Sequence, residues 1–468
     1  MRSLSDALHP ARRWMVMLAM VEYALMVGAF YLAAWIRFFG NEQLLRLAFG
    51  DVLQRALVFA SVLVVSMTAF GMYVMHSREG LNGHAVRAVA ASISGGSVLI
   101  VAQYLMPLSS IGRGVLLLAL GIGLIIILTS RAVLLRALRE ELLQRKILVL
   151  GTGERAAQIH VRMRRVSDRR TFRVAGYVAF GDEASVIPQE LQLPTPQGLV
   201  ALATQLEVDE IVVAMDVARA GEAMDELMQC RMLGVTVNDI CNFIENETGR
   251  IQLDVVNPSW LVFAEGFDTG AFRTTTKRIF DIFASGGLLL LASPIMALTA
   301  LAILIESGWR APILYRQERV GLGGRSFDVI KFRSMRTDAE KDGIARWAST
   351  DDDRVTRVGR IIRKLRIDEL PQVWNVLRGD MSFVGPRPER PTFVKQLEQQ
   401  IPYYGLRHAV KPGITGWAQL KYAYGASVKD AEEKLKFDLY YVKNHSFMFD
   451  LLTLLQTVEV VVFGKGAR

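Results

Sequence analysis

Four apolar stretches dominate the first third of the chain, at about residues 14–36, 56–75, 88–106 and 114–130. Each is close to the roughly 20 residues that a helix needs to cross a bilayer, although Ser94-Gly95-Gly96 interrupts the third and weakens its signal. Arg12 and Arg13 precede the first stretch and no small-residue cleavage site follows it, which predicts a retained span and not a signal peptide. Arg78 and Arg87 follow the second span, and Arg131, Arg136, Arg139, Arg145 and Lys146 follow the fourth. The loop at 107–113 has only Arg113, and the first loop mixes Arg37, Arg46 and Arg55 with Glu42 and Asp51. Basic residues collect on the cytoplasmic side, so the N-terminus and everything after residue 131 are expected there, with 1–145 as a four-helix transmembrane region.

The periodicity then shortens. Lys146-Ile147-Leu148-Val149-Leu150 followed by Gly151-Thr152-Gly153 and Ala156 has the form of a strand, a glycine turn and a helix start, the G-x-G-x-x-G/A pattern of a dinucleotide fold. Strand-like runs at 174–179, 210–214 and 235–240 complete a Rossmann-like α/β domain over 146–242. The acidic residue wanted at the end of the second strand is missing, since Asp182 and Glu183 come only after a longer excursion. A structural or regulatory module with no bound cofactor is therefore expected. Residues 243–272, with Asn257-Pro258 and Gly266, have the turn content of a connector.

A fifth apolar run covers Ile282–Ile305 and is broken at Ser293-Pro294. Lys277 and Arg278 precede it and Arg310, Arg316 and Arg319 follow, so both flanks favour the same side of a membrane. A helix kinked at Pro294 that enters and leaves by one face satisfies those charges, with Ser293 serving the carbonyl that the proline frees; a plain spanning helix also tolerates proline. The last apolar run, Phe447–Phe463, contains Asp450, Gln456 and Glu459, which suits an interfacial amphipathic helix or a core helix better than a span.

Between these runs lies the densest charge pattern in the chain. Arg354, Arg357, Arg360, Arg363, Lys364 and Arg366 occur with no acidic residue among them, the first four recurring every three positions. On a helix they form a basic face, with Val358, Ile361, Ile362 and Leu365 opposite. Asp368 and Glu369 follow, ahead of an apolar-periodic run that ends at Gly379, so Asp368 is expected to N-cap a helix that carries Pro371 in its first turn. Unpaired N–H groups there favour an ionised carboxylate. Such a cap is as often purely structural. Asp351-Asp352-Asp353 has the character of an exposed acidic turn and not of a metal cage.

Composition narrows the class. The chain has 468 residues, of which 51% are hydrophobic, and a formal charge of +9. A mean hydropathy of +0.26 points to a membrane protein, and a pI near 9.5 suits anionic partners. Zinc-finger spacing and RNA-binding aromatic motifs are absent, which disfavours nucleic acid. Cys230 and Cys241 form no Cys-x-x-Cys pair.

Several motifs occur in a family's order. They are Lys277-Arg278 with Asp281; Gln317 with Arg319-Val320-Gly321; Lys331-Phe332-Arg333-Ser334-Met335; Arg363-Lys364 with Asp368-Glu369-Leu370-Pro371-Gln372; Asn375-Val376-Leu377 with Gly379-Asp380-Met381-Ser382; Gly385-Pro386-Arg387-Pro388; and Lys411-Pro412-Gly413-Ile414-Thr415-Gly416-Trp417-Ala418-Gln419. Over residues 273–468 the chain resembles the bacterial sugar transferases, the monotopic phosphoglycosyl transferases. The segment Glu247–Leu261 is similar to the exosortase-associated exopolysaccharide type.

The resemblance implies an α-rich catalytic domain with a re-entrant membrane helix at about 281–305, broken at Ser293 and Pro294, on the cytoplasmic face of the inner membrane. It implies transfer of a sugar 1-phosphate from a UDP-sugar to polyprenyl phosphate, giving a polyprenyl-diphosphate sugar and UMP and initiating exopolysaccharide synthesis. Asp368 becomes the nucleophile, with Glu369 beside it, the pair holding Mg²⁺, while Lys331, Arg333, Arg363 and Arg387 meet phosphate. Two other classes stay open: an NAD-dependent membrane sugar dehydratase or epimerase, resting on Gly151 and Gly153, and a non-catalytic scaffold for polysaccharide export. A homodimer is the preferred assembly, and the residues do not distinguish one hexose from another.

Overall fold

The computed structural model describes residues 10–40, 52–73, 81–105, 112–137, 144–163, 171–180, 184–194, 198–215, 221, 223–253, 270–337, 354–422, 425 and 427–463. Two compact units divide the chain, Met1–Gly249 and Arg250–Arg468.

The first unit opens with four helices, α1 (Pro10–Phe38), α2 (Val52–Ala69), α3 (Leu81–Leu105) and α4 (Arg113–Ala137). All four are long and apolar enough to cross a membrane. The Ser94-Gly95-Gly96 interruption is a packing contact: a Cβ on Gly95 would stand 2.8 Å from Leu63 of α2, and one on Gly96 2.9 Å from Leu120 of α4. Small residues there let three helices approach closely without breaking α3. One buried charge group ties α1 to α4. The Glu22 carboxylate accepts hydrogen bonds from Tyr73 at 2.6 Å, Ser130 at 2.7 Å and Arg131 at 3.0 Å. Of the charges used to orient the spans, Glu42, Arg46, Asp51, Arg78 and Arg139 lie outside the described residues.

Beyond α4 a parallel sheet forms from β1 (Arg145–Leu150), β2 (Phe172–Val178), β3 (Glu210–Val213) and β4 (Thr236–Asp239), in the order β2-β1-β3-β4. Helices α5 (Glu154–Arg162), α6 (Leu199–Gln205), α7 (Met224–Met232) and α8 (Ile240–Thr248) accompany it. Alternate residues of β1 enter two separate cores, Ile147 and Val149 in one, Leu148 and Leu150 in the other, as a strand covered on both faces requires. The unit runs past the expected boundary at 242. Asp239 caps α8 by accepting from the Cys241 and Asn242 amides, Ile240, Phe243 and Ile244 are buried in the sheet core, and Gly249 ends the helix at φ +65°. The glycine turn serves the fold directly: the Thr152 carbonyl accepts from the amides of Val186 at 2.9 Å and Ile187 at 3.3 Å, seating the chain's own 184–194 segment there. Asp182 and Glu183 lie outside the described residues, as do Asn257, Pro258 and Gly266 of the connector.

In the second unit Arg250 and Ile251 are already part of the domain, through a 3.0 Å ion pair with Glu433 and a 3.0 Å bond from the Ile251 amide to the Lys436 carbonyl. Helix α9 (Ala271–Glu306) contains Pro294 in its interior. That proline cannot donate to the Leu290 carbonyl, and Ser293 Oγ donates to it instead at 2.8 Å, the substitution the sequence suggested. An antiparallel hairpin follows, β5 (Leu314–Val320) with β6 (Ser326–Phe332), then α10 (Arg357–Lys364) and α11 (Gln372–Arg378). Strand β7 (Ser382–Val384) pairs in parallel with β8 (Gly413–Thr415), and α12 (Pro391–Gln400) lies between them in sequence. Helices α13 (Trp417–Lys421), α14 (Val428–Asn444) and α15 (Phe447–Phe463) complete the unit.

Both ends of α9 are bound to this domain. Near its start Arg278 donates to the Val376 and Leu377 carbonyls of α11 at 2.7 and 2.6 Å, and Asp281 accepts from Ser382 Oγ at 3.0 Å and the Phe383 amide at 3.2 Å. At its end Glu306 caps α10, accepting from the amides of Arg357 at 2.8 Å and Val358 at 3.2 Å. Helix α15 differs from an ordinary interfacial helix: its polar members Asp450 and Thr453 are buried, while Phe447, Met448 and Val458 are exposed. Asp450 pairs with Lys277 and accepts from the Tyr441 hydroxyl at 2.6 Å, so the polar side of α15 faces the domain and its apolar side faces out.

Candidate active site

The carboxylates lie on a turn, not at a helix cap. Helix α10 ends at Lys364, Arg366 takes a left-handed conformation at φ +58°, and Ile367–Glu369 form a single 3-10 turn before Pro371 starts α11. The expected N-cap role of Asp368 is thereby corrected: proline, whose missing N–H costs nothing at a helix start, takes that position. The basic helix also differs from expectation, because only half of its apolar side is inside. Ile362 packs with Ile303 and Phe332, whereas Ile361 and Leu365 are exposed.

Three cations converge on one oxygen of Glu369. Arg387 Nη2 stands 2.8 Å from Oε1, Lys331 Nζ 3.5 Å and Arg366 Nη1 3.8 Å. Burial alone would push the Glu369 carboxyl up, but Arg387 and Lys331 outweigh it and hold the group down at about 2. Lys331 is held down at about 8 by burial and by the neighbouring Arg387 charge, with Glu369 pulling the other way. Asp368 moves oppositely to its neighbour: burial and the Glu369 charge raise its pKa against the pull of Lys331, Arg363 and Arg366. Two adjacent carboxyls thus acquire distinct characters, one firmly ionised and one poised.

The predicted residues divide on this basis. Asp368, Glu369, Lys331 and Arg387 meet at one site, and Arg363 acts on Asp368 through its charge. Arg333 follows Lys331 two residues on, yet the charge it feels is that of Glu306, and burial lowers its pKa. Ser293 and Pro294 lie inside α9, which runs continuously from Ala271 to Glu306, and the Ser293 hydroxyl serves the Leu290 carbonyl there. The acidic run Asp351–Asp353 lies outside the described residues, and among the described residues no group of three or more His, Cys, Asp or Glu is placed to hold a metal.

Several residues that position the site were not singled out in the sequence. Asn375, fully buried, donates to the Asp328 carbonyl at 2.8 Å and accepts from the Ile330 amide at 3.0 Å, locking β6 to α11 and so placing Lys331 beside Glu369. The Arg387 loop is held through its carbonyls. Lys277 and Tyr441 donate to Val384, the Gly413 amide to Pro386, Arg407 to Arg387, Arg319 to Pro388 and the Val320 amide to Glu389. A Cβ on Gly385 would collide with the Lys411 carbonyl, and one on Gly416 with the Gly385 carbonyl, so glycine permits the two backbones to cross here. Behind the loop, buried Arg407 pairs with buried Asp438 at 2.7 Å. Arg319, whose pKa burial lowers, adds a further cation beside Arg387 and Arg390. Arg319 and Asn375 lie inside the quoted motifs, but Arg407 and Asp438 carry no local pattern.

This arrangement is a cation-lined carboxylate pair in a domain tied to an apolar helix. The family model described as Bacterial sugar transferase matches residues 272–464. A UDP-N-acetylgalactosamine-undecaprenyl-phosphate N-acetylgalactosaminephosphotransferase from Aeromonas hydrophila is 44% identical over 249 residues, covering 53% of this chain and 57% of that protein. An undecaprenyl-phosphate glucose phosphotransferase from Komagataeibacter xylinus is 35% identical over 331 residues, covering 69% of this chain and 60% of the relative. The chain therefore spans less than two thirds of either. The exopolysaccharide production protein PSS of Rhizobium leguminosarum bv. phaseoli is 40% identical over 197 residues, which are 41% of this chain and 97% of that protein. With nearly the whole of that relative matched, and the site assembled from the same stretch, the chain belongs to the bacterial sugar transferase family.

Proposed function

We propose that the chain transfers a sugar 1-phosphate from a UDP-sugar to a polyprenyl phosphate at the cytoplasmic face of a bacterial inner membrane, releasing UMP and starting a polysaccharide chain. The observation that carries this reading is the Asp368–Glu369 pair ringed by Lys331, Arg366 and Arg387. The names of the Aeromonas and Komagataeibacter relatives support it, since both act on undecaprenyl phosphate and a hexose.

The chemistry follows from the two carboxyls. Asp368, in its deprotonated form, attacks the phosphorus that bears the sugar; the bond from that phosphorus to the UMP oxygen breaks and UMP leaves with the electron pair. A polyprenyl phosphate oxygen then attacks the same phosphorus and the aspartate is released. Phosphoryl transfer depends on positioning and charge neutralisation, which Lys331 and Arg387 supply from fixed positions. The three cations converge on Glu369 Oε1, which leaves Oε2 and the Asp368 carboxylate as oxygen ligands on neighbouring residues. That donor set fits Mg²⁺, a hard cation that takes one or two carboxylates and completes its shell with substrate phosphates and water. When bound, it neutralises charge on the diphosphate.

A re-entrant course for α9 is supported by its attachments. Its start is bound to α11 and its end to α10, the two helices that flank Asp368. The four N-terminal helices are read as spans that anchor the protein.

The test is a reaction mixture of membranes, radiolabelled UDP-sugar, polyprenyl phosphate and Mg²⁺. Lipid-linked sugar phosphate and UMP are expected in equal amounts. UMP without lipid-linked product, or neither, refutes the activity.

A further inference from the structure

The Arg387 guanidinium is held through two of its nitrogens. Nη2 lies 2.8 Å from Glu369 Oε1, and Nη1 donates to Gln419 Oε1 at 3.3 Å. A single acceptor leaves a planar guanidinium free to swing about one hydrogen bond, whereas acceptors on two different nitrogens fix its plane. The Arg387 side chain stays 34% exposed, so it is fixed without being covered.

Gln419 arrives on the same stretch that holds the Arg387 loop by its backbone. Strand β8 pairs with β7, the Gly385 amide donates to the Thr415 carbonyl at 3.0 Å, and the Gly413 amide donates to the Pro386 carbonyl at 3.0 Å. Gly416 then leads directly into α13, which carries Gln419. Residues 413–419 thus set both the backbone that leads to Arg387 and the direction of its side chain.

The carboxamide has one permitted orientation. A guanidinium donates and never accepts, so the amide oxygen of Gln419 faces Arg387 and its NH₂ group turns away. Nε2 is enclosed there and meets no hydrogen-bond partner among the described residues. An enclosed N–H without an acceptor opposes folding, and a methionine of similar volume would fill the same space without one. What glutamine offers that methionine does not is the oxygen, and that oxygen is spent on Arg387. Local rules of stability give way in this manner where a residue serves a site.

We propose that Gln419 is a positioning residue for donor binding: it fixes the plane of the Arg387 guanidinium so that the diphosphate of the UDP-sugar meets it in one orientation. The identity of that donor rests on the sugar-transfer reading above.

The test uses the full-length protein in detergent with Mg²⁺, and isothermal titration with UDP measures binding without any transfer step. Gln419→Met weakens UDP binding about tenfold, and Gln419→Asn, which keeps the amide but is one methylene short, does the same. Gln419→Met melts no lower than the parent, because it removes an enclosed unpaired donor. In an Arg387→Gln background the Gln419→Met exchange weakens UDP binding no further, since the group it positions is gone. In steady-state UMP release Gln419→Met raises KM for the UDP-sugar about tenfold and changes kcat less than about threefold. Parent-like UDP affinity in either single variant, an undiminished loss in the Arg387→Gln background, or a loss of affinity that tracks a lowered melting temperature would each overturn the proposal. A parent that binds UDP yet makes no lipid-linked product refutes the transfer reading instead, and the coupling between Gln419 and Arg387 still decides this one.

Discussion

Arg387 Nη2 and Glu369 Oε1 are 2.8 Å apart, joining a proline-flanked loop to the turn that carries the carboxylate pair. A guanidinium offers several fixed donors where an ammonium offers one compact charge, and Arg387 uses a second nitrogen to reach Gln419 Oε1 at 3.3 Å. Arg387→Lys should therefore lower kcat/KM for the UDP-sugar by about tenfold to a hundredfold, with most of the loss in KM. Steady-state UMP release at several donor concentrations measures it, and an unchanged KM would remove Arg387 from the donor site.

The opposite shifts of Asp368 and Lys331 fix the direction of the pH dependence. Asp368 must be deprotonated to attack, so activity rises with pH through its raised pKa. Lys331 is cationic below its lowered value of about 8 and loses its charge above it, so kcat/KM falls as pH passes about 8. Arg387 is one cause of that lowering, hence the residual activity of Arg387→Gln should show the basic limb displaced to higher pH. In Lys331→Arg that limb should disappear. A pH profile of UMP release for the three proteins decides it.

Arg407 and Asp438 form a buried pair behind the Arg387 loop. Arg407→Met leaves an uncompensated buried carboxylate and should cost about 3–5 kcal/mol, while Arg407→Met combined with Asp438→Leu should be nearly neutral in stability. Both proteins lose the donor to the Arg387 carbonyl, so the double variant should be stable but slow. Thermal unfolding in detergent together with UMP release separates the two effects.

The course of α9 has its own consequence. Thr275 and Trp309 are exposed near its two ends. Thr275→Cys and Trp309→Cys, each with Cys230 and Cys241 replaced, should react with a membrane-impermeant maleimide from the same side of sealed vesicles. Labelling from opposite sides would make α9 a spanning helix.

What was legible in the sequence depended on how local the signal is. The apolar helices, the β1 strand and the Ser293 hydroxyl bond that replaces the one Pro294 cannot make follow from composition and backbone chemistry within a few residues, and each expected apolar run lies largely inside an observed helix. The role of Asp368 as a helix cap did not, because Arg366 enters the left-handed region and inserts a turn, and no neighbouring residue announces a positive φ on an arginine. The expected boundary at 242 failed because the last helix of the α/β domain is held by tertiary burial of Phe243 and Ile244. Of the site, the motif residues Asp368, Glu369, Lys331 and Arg387 could be named in advance. Arg407 and Asp438 could not, since they reach the site only through the carbonyl of another residue and their pairing joins separate segments. The inward polar side of α15 was hidden for a similar reason: Asp450 finds Lys277 across most of the catalytic domain.

The covalent step is the centre of the account, and mass spectrometry tests it most directly. Purified protein given UDP-sugar and Mg²⁺ without polyprenyl phosphate should release UMP in a burst of up to one equivalent. The proteolytic peptide containing Asp368 should gain the mass of a hexose phosphate, and Asp368→Asn should abolish both signals. Full turnover on addition of lipid acceptor, with no adduct on that peptide and no burst beforehand, would contradict an aspartyl intermediate.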